Sequence, residues 1–103
     1  MATQERALTE EEVARKLAGH LVELRSFGVR SLDLFGSIVR GEATPESDVD
    51  LLVYFDDAPG MIGYVRLRNR LQQILGSKVD LVTASGLKPR FRDRVLREAH
   101  RVA

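Results

Sequence analysis

The strongest constraint on this 103-residue chain is a pair of short apolar runs joined by a polar stretch. Leu32 to Phe35 delivers the chain to Gly36-Ser37, and Asp48-Val49-Asp50 opens the second run, Leu51 to Phe55. If the second run is a strand, Asp48 and Asp50 share a face, because side chains two apart in a strand align. Two carboxylates held side by side are costly unless a cation neutralises them. A hard divalent ion such as Mg²⁺ takes oxygen ligands of this kind and leaves positions open for substrate phosphates. Gly36 permits a sharp turn and close approach of a ligand. Ser37 is placed to cap a short following helix, whose free N–H groups attract phosphate. A phosphate grip beside a metal site describes nucleotidyl or phosphoryl transfer.

With 44% hydrophobic and 30% charged residues, the chain is expected to form one compact domain over 1–103, with residues 1–8 as a loose end. A net charge of +1 offers no global argument for nucleic acid or a membrane, and direct nucleic-acid binding is not expected. The absence of cysteine excludes disulfides and cysteine-based zinc sites and fits a reducing compartment. The N-terminal M-A-T-Q-E-R has no apolar signal core, and no apolar run approaches the roughly 18 residues of a membrane span. The expected location is the cytoplasm.

Taken in order, Thr9 and Glu12 have capping-box spacing, and Val13, Leu17, Leu21 and Leu24 recur at helical intervals. They predict one helix from Glu10 to Arg25, stopped near Gly28. A strand follows over Arg30 to Phe35, then a helical turn at Ser37 to Arg40 and a loop over Gly41 to Ser47. Val49 to Phe55 reads as a central strand, apolar on both faces beyond Asp50. Met61, Val65, Leu71, Ile74 and Leu75 mark a second long helix closed by Gly76. Lys78 to Thr83 is a third strand carrying Asp80 among apolar neighbours, and Ala84 to Lys88 a loop. Pro89 starts a last helix in which Phe91, Val95, Ala99 and Val102 share a face. The expected fold is α/β, a small mixed sheet flanked by helices.

The arrangement G-S, then D-x-D, then a later strand aspartate resembles the nucleotidyltransferase superfamily with the polymerase-β-like core. The segments F-G-S-I-V-R-G-E-A, S-D-V-D-L-L-V, L-G-S-K-V-D-L-V-T and R-V-L-R-E-A are similar to minimal nucleotidyltransferases, specifically the MntA-type antitoxins of type VII toxin–antitoxin systems. The resemblance covers Leu32 to Val102. It implies an antitoxin that transfers AMP from ATP to a tyrosine of a HEPN-domain toxin ribonuclease of the HepT type. It also implies that Asp48 and Asp50 are the metal-binding pair, Asp80 the third carboxylate, and Gly36 and Ser37 the triphosphate-binding turn. With Mg²⁺ (two ions) on the three carboxylates, the triphosphate would be held for in-line attack at its α-phosphorus. The family often has an arginine directly after G-S. Here Ile38-Val39 intervene, so positive charge near this turn rests on Arg40.

Blander readings stand beside these. Arg40 can pair with Glu42 or Glu46 on the surface. Arg90, Arg94, Arg97 and Arg101 form a basic stripe on the last helix, more simply a solvated face than a docking surface. His20 and His100 have no second ligand at metal spacing. Two other functions compete with catalysis on a toxin: a binding module that neutralises its partner by masking, and a small-molecule nucleotidyltransferase, for whose acceptor domain the chain has no room.

Overall fold

The computed structural model describes residues 6–103. Its element order is α1 (Glu10–Ala18), α2 (Leu21–Ser26), β1 (Val29–Phe35), α3 (Ser37–Arg40), β2 (Val49–Phe55), α4 (Met61–Leu75), β3 (Val79–Val82), a 3₁₀ turn (Ala84–Gly86), α5 (Pro89–Glu98) and β4 (His100–Arg101). The strands form one mixed sheet in the order β3-β2-β1-β4. β1 runs antiparallel to both β2 and β4, whereas β2 and β3 are parallel. A parallel pair needs a crossover, which α4 supplies.

One face of the sheet carries the main core. Leu32 and Leu34 of β1, Val49, Leu51 and Val53 of β2, and Val79 and Leu81 of β3 meet Val13, Leu17, Leu24, Leu67, Leu71 and Leu75 from α1, α2 and α4. The other face carries a smaller cluster, Phe35, Leu52 and Val95, with Tyr54, Val82, Leu87 and Ala99 at its margin. Strand alternation divides the two sets. An irregularity between Val29 and Ser31 lets Val29 join the first face as well.

Several expectations need correction. The first helix is broken at Gly19-His20, because glycine is a poor helix former and its N–H turns back to the Leu17 carbonyl. The restart changes the phase of the helix, so Leu24 is buried while Leu21 is 39% exposed. The last helix stops at Glu98, and Ala99 turns extended. His100 and Arg101 then form β4 against β1, and Val102 reaches the core after a strand, not as part of a helical face. Phe91, placed on that face by spacing, is 47% exposed. In α4 the buried residues are Leu67, Leu71 and Leu75, whereas Met61 lies exposed. Residues 1–5 lie outside the described residues, but Leu8 is not loose: it is buried in the main core, and Arg6 pairs with Glu12 at 2.7 Å.

Other local readings hold. Thr9 and Glu12 form the reciprocal capping box. Gly28 has φ +85°, and its carbonyl accepts from Asp56 N–H at 2.9 Å. A Cβ there would collide with the Asp57 carbonyl, so this glycine lets the end of β2 close onto the start of β1. Among the described residues no helix is long and apolar enough to cross a membrane.

Candidate active site

Asp50 and Asp80 are direct partners in the parallel β2–β3 ladder. Neighbouring strands lie about 4.8 Å apart and paired residues point the same way, so both carboxylates leave the sheet on the face opposite the main core. Asp48 stands just before β2, two residues from Asp50 in extended chain. On the other side of Asp50, its antiparallel partner is Phe35, the residue that leads into Gly36. The sheet thus brings the end of β1, the start of β2 and the start of β3 to one place.

Gly36 adopts φ +83° and ψ −149°, and a Cβ there would collide with Oδ2 of Asp50. No other residue could make this turn so close to the carboxylate. Gly36 is also the N-cap of α3, and Ser37 is its first helical residue. The expectation that Ser37 caps this helix is therefore corrected, since no side chain caps α3. The backbone leaves β1 through a left-handed glycine, which moves the cap one residue earlier.

Burial pushes the Asp50 carboxyl up to about 6 from its ordinary 3.8, and the negative charges of Asp80 and Asp48 push the same way. Arg40 opposes the rise, and Glu98 adds slightly to it. Tyr64, on α4, donates its hydroxyl to the Leu81 carbonyl at the free edge of β3. Burial, followed by the charge of Asp80, raises the pKa of that hydroxyl.

Arg40 ends α3. Its Nε donates to Glu42 Oε1 and its Nη1 to Glu98 Oε1, each at 2.9 Å. Of the two surface partners foreseen, the structure supplies Glu42 and not Glu46. Glu98, the last residue of α5, also accepts from the Gly36 N–H at 2.7 Å through Oε2. Its link to Gly36 spans the whole length from β1 to α5, and no local pattern announces it.

The remaining candidates are ordinary surface contacts. Arg101 belongs to β4 and pairs with the buried Asp33 of β1, which removes it from the basic stripe of α5. His20 meets Glu23, and His100 meets Glu10.

The donor set suits a hard cation. It consists of carboxylate oxygens, it places like charges where burial already penalises them, and Asp80 lies exposed on its open side. Among the described residues no three His, Cys, Asp or Glu side chains are gathered into a group that could hold a metal ion. A cation here would draw the carboxylates together and complete its shell with water and substrate oxygens, as Mg²⁺ commonly does.

Residues 14–102 match the model of the family described as nucleotidyltransferase domain. The protein adenylyltransferase MntA of Thermococcus cleftensis is 48% identical over 92 residues, which cover 88% of this chain and 93% of that one. A Methanocaldococcus jannaschii protein, provisionally described as a protein adenylyltransferase, is 36% identical over 88 residues, covering 85% and 91%. A solved structure, provisionally described as a minimal nucleotidyltransferase, superposes with a TM-score of 0.76 at 38% identity and covers 90% of this chain and 95% of that one. A toxin–antitoxin complex with AMP-PNP shares the fold, with a TM-score of 0.67 at 24% identity over 93% of this chain and 73% of that one.

Proposed function

The chain belongs to the nucleotidyltransferase domain family, and from that premise we propose that it is an antitoxin that transfers AMP from ATP to a tyrosine of a cognate HEPN-type toxin ribonuclease. One observation carries the chemical part of this reading. Asp50 and Asp80 stand opposite each other on one face of the sheet, beside Asp48 and the Gly36 turn, where their negative charge is costly without a counter-ion. The description of the Thermococcus relative and the shared fold of the complex with AMP-PNP support the substrate and partner classes.

In this reading Asp48, Asp50 and Asp80 would hold Mg²⁺, in two ions. Bound there, Mg²⁺ would neutralise charge on the α-phosphate and on the departing pyrophosphate. The Ser37 hydroxyl and the backbone of its turn anchor the pyrophosphate end. Arg40 adds positive charge to that end, tempered by Glu42 and Glu98. Asp80, the exposed member, faces the side from which an acceptor hydroxyl arrives and accepts its proton. The acceptor oxygen forms its bond to the α-phosphorus as the bond to the bridging oxygen breaks and pyrophosphate leaves. The protein supplies position and electrostatics, and no covalent enzyme intermediate is required.

The test incubates the protein with its cognate toxin, Mg²⁺ and ATP labelled at the α-phosphate, and maps the modified residue by mass spectrometry. Label on a toxin tyrosine, lost in the Asp48→Ala, Asp50→Ala double variant, is the expected result. Full neutralisation of the toxin by that double variant would instead establish masking as the function.

A further inference from the structure

We propose that Glu98 is a positioning residue that holds the Gly36–Arg40 turn in the shape that receives a triphosphate. The inference rests on the nucleotidyltransferase reading of the site and goes beyond it to a residue of α5 outside the three carboxylates.

Glu98 uses both of its oxygens. Oε2 takes the Gly36 N–H at 2.7 Å and Oε1 takes Arg40 Nη1 at 2.9 Å, so one carboxylate ties the two ends of the turn together. Its side chain is only 15% exposed, which strengthens bonds that water would otherwise compete for. Gly36 needs such a tie. It holds a left-handed conformation against Asp50, where any drift of its backbone moves either the Asp50 carboxylate or the start of α3. Arg40 N–H to the Gly36 carbonyl at 3.2 Å, Gly41 N–H to the Ile38 carbonyl at 3.2 Å and Glu42 N–H to the Ser37 carbonyl at 2.9 Å close this four-residue helix, and one turn of helix is not stable alone. Glu98 supplies the missing support from outside. Because it ends α5, the same contact fastens the helix that covers this face of the sheet.

The consequence is a division of labour at the turn. With the Gly36 N–H committed to Glu98, the Ser37 hydroxyl is presented to the ligand from a fixed backbone. Arg40, held by Glu98 on one side and Glu42 on the other, is kept at the end of α3 and does not sweep through solvent. Misplacing a binding group by about 1 Å costs up to roughly a hundredfold in affinity or rate.

Three proteins test this: wild type, Glu98→Ala and Glu98→Gln. Binding of AMP-PNP with Mg²⁺ is measured by calorimetry, amide hydrogen exchange is followed at Gly36, and KM for ATP and kcat are measured with the toxin as acceptor. For Glu98→Ala the expectation is a KM raised on the order of tenfold with a smaller change in kcat, a parallel loss of AMP-PNP affinity, and faster exchange at Gly36. Glu98→Gln keeps an acceptor for the Gly36 N–H while losing the charge that holds Arg40, so it should recover Gly36 protection and part of the affinity. It also serves if the alanine variant folds poorly. In an Arg40→Ala background, Glu98→Ala should cost less than it does alone. Unchanged AMP-PNP affinity in folded Glu98→Ala overturns the proposal. So does tighter binding, which would make Glu98 a competitor of phosphate. If wild type binds AMP-PNP but modifies no toxin, the proposed function fails while the calorimetry and exchange still judge Glu98.

Discussion

The two faces of the sheet are built on different terms. The face under α1, α2 and α4 is apolar throughout, with leucines and valines from three strands packed against leucines from three helices. The face under α5 has three buried apolar residues and carries Ser31, Asp33, Asp50 and Asp80 from the same strands. Hydrophobic burial stabilises in proportion to area, so the first face is where the fold is held. The proposed site needs polar groups open to a ligand, and the second face is the one with the thinner cover. Leu51 and Leu52 are adjacent and both fully buried, yet they belong to different faces and to different jobs.

The largest effect expected is on the second face. Asp50→Ala should lower the rate of AMP transfer at least about a thousandfold, roughly 4 kcal/mol of transition-state stabilisation, read as kcat/KM with labelled ATP. Thermal unfolding of the same variant should show no loss of stability, which separates the site from the core.

Next in size is the direct contrast within β2. Leu51→Ala should cost about 3–5 kcal/mol, seen as a lower denaturant midpoint with little change in slope. Leu52→Ala should cost about 2–3 kcal/mol, because the sparser cover of α5 can collapse into the space left behind. Equal losses at the two positions would show that the second face is packed as firmly as the first.

Asp50→Asn offers a subtler break. A carboxyl raised from 3.8 to about 6 by folding contributes stability that is fully present below about pH 4 and is lost as pH rises through 6. The ligand-free protein therefore carries a cost at neutral pH that the amide lacks. After allowance for solvent screening of a half-exposed group, Asp50→Asn should gain about 1 kcal/mol at pH 7.5 and nothing near pH 4, measured by thermal unfolding at both values. Mg²⁺ should raise the melting temperature of wild type more at pH 7.5 than at pH 5 and leave Asp50→Asn nearly unmoved.

The smallest effect returns to the first face. Gly19 has ordinary right-handed angles (φ −76°, ψ −4°), and a Cβ there would make only an ordinary contact with the Lys16 carbonyl at 3.8 Å, so Gly19→Ala should stabilise by about 0.5 kcal/mol without altering transfer.

Much of this molecule was legible in the chain itself. The strands at Val29–Phe35, Val49–Phe55 and Val79–Val82 followed from short apolar runs between turn residues, and the capping box from Thr9 and Glu12. The grouping of Gly36, Ser37, Asp48 and Asp50 followed from order and spacing, because a two-residue alternation and a glycine turn are local properties. The break at Gly19-His20 was less legible, since helical periodicity runs through it and only packing of Leu24 decided the new phase. The two-residue β4 was hidden for a similar reason: His100 and Arg101 have no strand signal and pair with β1 because that edge is open.

The sequence by itself determined which residue types were available for chemistry, and that they stand at strand ends and turns, since those preferences act between near neighbours. Tertiary structure alone decided that Asp50 and Asp80 pair in register, that Arg40 meets Glu98, and that Glu98 reaches the Gly36 N–H. Each of those contacts joins residues far apart along the chain. Its partner is chosen by how the helices close over the sheet, and no local pattern encodes that distance.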